Sequence, residues 1–149
     1  MTPLEPIDRA ILRELVSDGR RSFTELAERV GLSVSAVHQR VRRLEQRGVV
    51  HGYTARLDTE QIGLPLTALI SLTPIDPAAP DDYPQRLQHL AQIESCYSVA
   101  GDESYVVLVR VASPAGLEDL LRQIREVANV STRTTVVLST PYEHRPPAV

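Results

Sequence analysis

The stretch Gly31–Gly48, GLSVSAVHQRVRRLEQRG, decides how the first half of the chain is read: a turn, then a helix bearing Arg40, Arg42, Arg43 and Arg47, in a protein whose formal net charge is -3. Gly31 supplies the left-handed conformation that closes a preceding helix, and Ser33 can cap the next one two residues later. At about 100° per residue, Val34, Val37, Val41 and Leu44 share one side of the helix that follows, which is expected to run to about Arg47. That side must pack on other helices. The opposite side carries Ser35, His38, Gln39, Arg42 and Arg43, with Ala36 at its edge and Arg40 near the boundary. One face is therefore a surface of hydrogen-bond donors and positive charge.

Toward the N-terminus, Ser22 and Glu25 have the capping-box spacing, so a second helix starts near Phe23 and buries Leu26, Ala27 and Val30. Ile7, Ile11 and Leu15 mark the apolar face of a first helix, which ends at Ser17-Asp18-Gly19. Past Gly48, VVHGYTARLD is rich in β-branched and aromatic residues and reads as a strand, followed by a linker in TEQIGLP. A strand–helix–strand unit then occurs twice. The first comprises a strand over 66–72, a helix around 84–92 and a strand over 95–100; the second, a strand over 105–111, a helix over 114–128 and a strand around 133–139. Two such units in one small domain indicate a four-stranded antiparallel sheet with both helices on one face, the ferredoxin-like βαββαβ arrangement. The fold class is α+β: a winged helix-turn-helix domain over 1–50, a linker strand over 51–64 and the sheet domain over 65–149. The terminal RPPAV reads as a frayed tail.

With 149 residues, 42% of them apolar, each of two small domains sits near the lower limit for a self-sufficient core, so association is expected. The 16 basic residues are all arginine, which reads as the imprint of a GC-rich genome. A single cysteine, Cys96, excludes an internal disulfide and a zinc site of paired cysteines, and fits a reducing compartment. His38, His51, His89 and His144 show no ligand spacing, so neither metal nor cofactor is expected. The absence of a signal-like stretch or long apolar run points to a cytoplasmic protein with no membrane partner.

The charge is unevenly divided. From Arg20 to Arg56, eight arginines face three glutamates, +5, whereas from Gln61 to Val149 six arginines face ten acids, -4. An arginine-rich helix face alone is usually a solvated surface. The capped short helix and glycine turn before it, the local excess of one sign and the separate acidic second domain favour double-stranded DNA as partner. In a major groove, arginine pairs with guanine and glutamine with adenine in bidentate fashion, while other arginines meet phosphates. The expected recognition surface is Ser33, Ser35, Ala36, His38, Gln39, Arg40, Arg42 and Arg43, with Arg20, Arg21 and Arg47 closer to phosphates. One helix reads few base pairs, so a homodimer is expected, and the alternating Tyr53, Ala55 and Leu57 of the strand at about 50–57 can pair with a second copy.

The run IDRAILRELVSDGRRSFTELAERVGLSVSAVHQRVRRLEQRGVVHGYTARLD closely resembles the N-terminal half of Lrp/AsnC (feast/famine) transcription regulators, and the second half resembles their effector-binding RAM domain. The "DGR" after the first helix, the spacing of Gly31, Leu32, Ser33, Ser35, Val37, Arg40, Val41, Arg43, Leu44, Glu45, Gly48 and Val49, and "AGDESYVVLVRV" further on carry the likeness, which covers about Ile7 to Tyr142. The resemblance implies dimers swapped through the linker strand, often four of them in an octamer, with an amino acid bound between dimers. The turn that often reads Gly-Asp-x-Asp in the family is Gly101-Asp102-Glu103-Ser104 here. Amides around Gly101 and Asp102 suit a small carboxylate, with an ammonium near Glu103 or Ser104 and walls from Val99, Tyr105 and Thr134. Glu103, an extra negative charge, favours a basic or polar effector. Siroheme decarboxylases share this architecture and are the rival from the enzyme class. The scattered histidines form no acid–base constellation and the recognition helix is complete, so a regulator rather than an enzyme is expected.

Overall fold

A computed structural model describes residues 3–147 and divides them into two units: 3–56 with 142–147, and 57–141. In the first, α1 (Pro6–Ser17), α2 (Phe23–Val30) and α3 (Val34–Gln46) enclose Ile11, Leu12, Leu15, Leu26, Ala27, Val37, Val41 and Leu44. The expected caps form. Ser22 Oγ accepts from the Glu25 amide at 3.2 Å and the Glu25 carboxylate accepts from the Ser22 amide at 2.8 Å, which holds Glu25 below its ordinary pKa. Gly31 closes α2 at φ 70°, and Ser33 Oγ accepts from the Ala36 amide. Val34 departs from expectation: it is 45% exposed, because the first residue of α3 projects past the helices that cover Val37, Val41 and Leu44.

Residues 51–58 are in neither helix nor strand, so the expected linker strand is not formed within one chain. Extended backbone becomes a strand only when a neighbour takes up its N–H and C=O groups. Tyr53 nevertheless has a place in the first unit. Its hydroxyl donates to Glu45 Oε1 at 2.9 Å, and its ring lies so near Gly19 that a Cβ there would stand 3.3 Å from it, which accounts for the glycine of the DGR turn. In the tail, Arg56 donates to the His144 carbonyl at 3.1 Å, and residues 145–147 are exposed without regular structure; the last two residues of the expected tail lie outside those described.

The second unit is the expected sheet. Strands β1 (Leu66–Pro74), β2 (Ile93–Ser98), β3 (Tyr105–Val111) and β4 (Val130–Val136) lie in the order β2-β3-β1-β4, all neighbours antiparallel. One face, with Ala68, Ile70, Leu72, Tyr105, Val107, Val109 and Val111, packs on α4 (Tyr83–Leu87) and α5 (Pro114–Ala128) through Leu87, Leu117, Leu120 and Ile124. Several boundaries differ from expectation, among them the end of β1, which runs on to Pro74, and the end of β4, which stops at Val136. The helix placed around 84–92 is only Tyr83–Leu87, because Leu90 and Ile93 amides bond three residues back and swing the chain directly into β2. β2 accordingly begins at Ile93 and ends at Ser98. β4 begins at Val130, not near Arg133: Asn129, at φ 52°, closes α5 in the left-handed conformation and sends Val130 straight into the core.

Candidate nucleic-acid interface and effector turn

On α3 the apolar residues Val37, Val41 and Leu44 are buried, so the side chains between them are forced outward. Ser35, His38, Gln39, Arg42 and Arg43 are exposed and Ala36 is half-exposed. Ala36, Gln39, Arg40 and Arg43 line an open depression of about 390 Å³ on this face. The His38 ring stands edge-on to Phe23, centroids 4.8 Å apart, which orients the imidazole along the outward face. Ser33 is spent on its cap and on a 3.2 Å hydrogen bond with Ser35 Oγ.

The arginines fall into two sets. Arg40 Nη1 donates to Asp8 Oδ1 at 2.8 Å and to Glu5 Oε2 at 2.9 Å, tying α3 to the start of α1 and raising the Arg40 pKa above its ordinary value, with the Asp8 bond the main cause. Asp8 is 1% exposed; the Arg40 guanidinium is the charge that makes its burial tolerable. Arg21 and Arg29 share Glu14 Oε2 at 3.5 and 3.4 Å, and the Arg21 side chain is only 12% exposed. Arg21 and Arg40, read from the sequence as facing DNA, are thus engaged within the unit. Among the described residues no carboxylate is paired with Arg42 or Arg43. Arg20 is exposed in the turn before α2, where its amide donates to Asp18, and Arg47 is exposed at the C-terminal cap of α3. Asp8, Glu5 and Glu14 were missed by sequence reasoning; only an acid about one helical turn apart on α1 hints that an arginine elsewhere must meet it.

In the sheet unit, the Gly101–Ser104 turn joins β2 to β3. It is tied down by the Val99 amide on the Ser104 carbonyl and the Ser104 amide on the Leu72 carbonyl, at 3.1 and 3.0 Å. Gly101 and Asp102 are exposed, and a Cβ at Gly101 would meet nothing nearer than Glu103 Oε2 at 3.8 Å. One chain by itself therefore has room for a side chain there. Glu103 is not an unspent charge: its carboxylate pairs with Arg133 of β4, which removes the ground for expecting a basic effector. Arg133 pairs in register with Ser71, whereas Thr134 pairs with Ile70, so the two project from opposite sheet faces. The turn thus meets Arg133 and not Thr134. Tyr105 belongs to the core at 7% exposure, its ring edge-on to Tyr83 and its hydroxyl donating to Asp81 Oδ1 at 2.8 Å, which raises its pKa. Val99 is half-buried beside the turn. Arg133 was the residue that sequence reasoning overlooked, because nothing local links it to a glutamate 30 positions earlier.

Comparison with known proteins finds a family match in each half of the chain. The AsnC-type helix-turn-helix domain matches residues 4–45 and the Lrp/AsnC ligand binding domain matches residues 67–147. The chain is 60% identical over 142 residues to the HTH-type transcriptional regulator LrpA of Mycobacterium tuberculosis, covering 95% of each. It is 39% identical over 140 residues to the leucine-responsive regulatory protein of Escherichia coli K12, covering 91% of this chain and 85% of that one. A solved structure of a feast or famine regulatory protein from M. tuberculosis complexed with L-methionine superposes with a TM-score of 0.95 at 59% identity, covering 97% of this chain and 98% of that one.

Proposed function

The chain belongs to the Lrp/AsnC family of transcription regulators, and from that premise we propose that it reads operator DNA with the outward face of α3 and answers to a free amino acid at the Gly101–Ser104 turn. The observation that carries the first part is the sorting of charge on the helical unit: Arg21, Arg29 and Arg40 are neutralised by acids, whereas Arg42 and Arg43 face outward beside Gln39 without them. Base readout then falls to Gln39, Arg42 and Arg43, with Ser35, Ala36 and His38 at the closest approach, and phosphate contact to Arg20 and Arg47. Removing a base-reading arginine costs about 1–3 kcal/mol of discrimination, while removing a phosphate contact weakens all sequences alike and lowers the salt slope by about 1. Footprinting and titration on the intergenic DNA beside the gene check this. Arg43→Ala and Gln39→Ala variants with unchanged affinity and specificity ratio at fixed salt would refute the placement.

The working unit is a homo-oligomer built on dimers, assembled further into an octamer of four dimers. Residues 51–58 carry exposed Tyr53 and Leu57 and have no ladder within the chain, as a segment awaiting a second copy would. Sedimentation showing a monomer at micromolar concentration with full operator binding contradicts it. The effector is an amino acid with a neutral side chain, since Arg133 already balances Glu103; the related M. tuberculosis protein complexed with L-methionine supports that choice. It binds between dimers and stabilises the assembly that completes its pocket. Calorimetry with the common amino acids on wild type and Gly101→Trp decides: binding that survives tryptophan, or none at all, rejects the site. The protein acts as a regulator in the cytoplasm and is not an enzyme; no helix among the described residues is long and apolar enough to cross a membrane.

A further inference from the structure

Arg40 carries two acids where one suffices. Its Nη1 meets Asp8 Oδ1 at 2.8 Å and Glu5 Oε2 at 2.9 Å. Asp8, with 2% of its side chain exposed, needs a cation, and the pair Asp8–Arg40 is neutral. Glu5 has 56% of its side chain in water and no such need, yet it leaves the trio with a surplus negative charge. That surplus sits against a residue that borders the depression also lined by Gln39 and Arg43, on the face a polyanion must approach. A carboxylate on a guanidinium presents the same charge sign and the same acceptor oxygens as a phosphate diester.

We propose that Glu5 is a displaceable stand-in for a DNA backbone phosphate at Arg40. Asp8 holds the guanidinium in position, Glu5 occupies its outer side in the free protein, and on docking a phosphate takes the place of Glu5. The inference rests on the outward face of α3 being the DNA surface. Every encounter with DNA, cognate or not, must then break the Glu5–Arg40 pair, so Glu5 lowers affinity uniformly and leaves the ratio between operator and other sequences unchanged. It restrains non-specific occupancy without taking part in readout.

The test uses the full chain, the intergenic duplex beside the gene and a scrambled duplex of equal length, at fixed salt. Glu5→Gln binds both duplexes about twofold to fivefold more tightly, the range expected for releasing an exposed ion pair. In an Asp8→Asn/Arg40→Gln background, which removes the guanidinium and neutralises its buried partner together, the gain from Glu5→Gln vanishes and the salt slope is lower by about 1. No gain, a gain on one duplex only, or a gain that persists without Arg40, which would make it a general field effect, overturns the proposal. Should that background fail to fold, the carboxylate ¹³C resonance of Glu5 in the wild-type chain decides: it moves on saturation with duplex if Glu5 is displaced, and a resonance that stays put refutes displacement. Loss of binding in Gln39→Ala and Arg43→Ala with no effect of Glu5→Gln removes the stand-in alone; no loss in the former pair removes the DNA surface beneath it.

Discussion

In the sheet unit, Arg86, Arg110, Arg122 and Arg133 each lie against a carboxylate, from Asp82, Glu94, Asp119 with Glu126, and Glu103 in turn, while on the outward face of α3 Arg42 and Arg43 have none among the described residues. Both units contain acids in plenty; what differs is where the fold puts them. On the helical unit Glu5, Asp8 and Glu14, at the start of α1 and along it, take up Arg40, Arg21 and Arg29, and Arg42 and Arg43 on the outward row are left without a carboxylate among the described residues. A chain of net charge -3 can in this way present a positive surface, because fields beyond about 8 Å are largely screened at physiological salt and a duplex responds to the nearest charges.

That contrast depends first on α3 being a rigid platform. Leu44→Ala removes a side chain with 0% exposure and is expected to destabilise the helical unit by about 2–5 kcal/mol, read by chemical denaturation. A cost near zero would mean that the outward row is not held by the inward one. The next effect concerns pairing as the way charge is sorted. Asp8→Ala strips Arg40 of its buried partner and should cost about 1–3 kcal/mol of stability, more than truncating exposed Glu28; equal small costs for both would mean that Asp8 does not anchor the Arg40 guanidinium.

A smaller effect sharpens the boundary of the helical unit. Burial, then the bond to Glu45, pushes the Tyr53 phenol up to about 12 from an ordinary 10.0. The folded state favours the protonated phenol, so this contribution is whole below pH about 10 and is lost as pH rises through about 12. Tyr53 is more than half exposed, and solvent screening keeps the effect to about 1 kcal/mol or less. Melting curves of wild type and Tyr53→Phe should converge across that window, and parallel curves would place Tyr53 outside the unit. Smallest of all is Arg122→Gln on the exposed side of α5: operator affinity should not change, and a loss comparable to that of Arg43→Gln would mean that the two units do not divide their charges as described.

Much of the fold was legible in the sequence for a local reason. Caps and periodicity operate within one turn or one strand, so the Ser22–Glu25 box, the Gly31 closure, the Ser33 cap, the span of β3 and the whole of α5 could be placed residue by residue. The outward residues of α3 were legible because burial of Val37, Val41 and Leu44 dictates what faces away. Tertiary structure alone decided the rest. β4 starts three residues before the β-branched run suggests, because a left-handed Asn129 turns α5 directly under the sheet. Whether residues 51–58 form a strand depends on a partner that a single chain does not contain. Arg40 reads like its neighbours Arg42 and Arg43, and Glu103 like a free acid. Their roles follow from Asp8, 32 positions away, and Arg133, 30 positions away, and no spacing rule reaches across a fold to report which opposite charge will arrive.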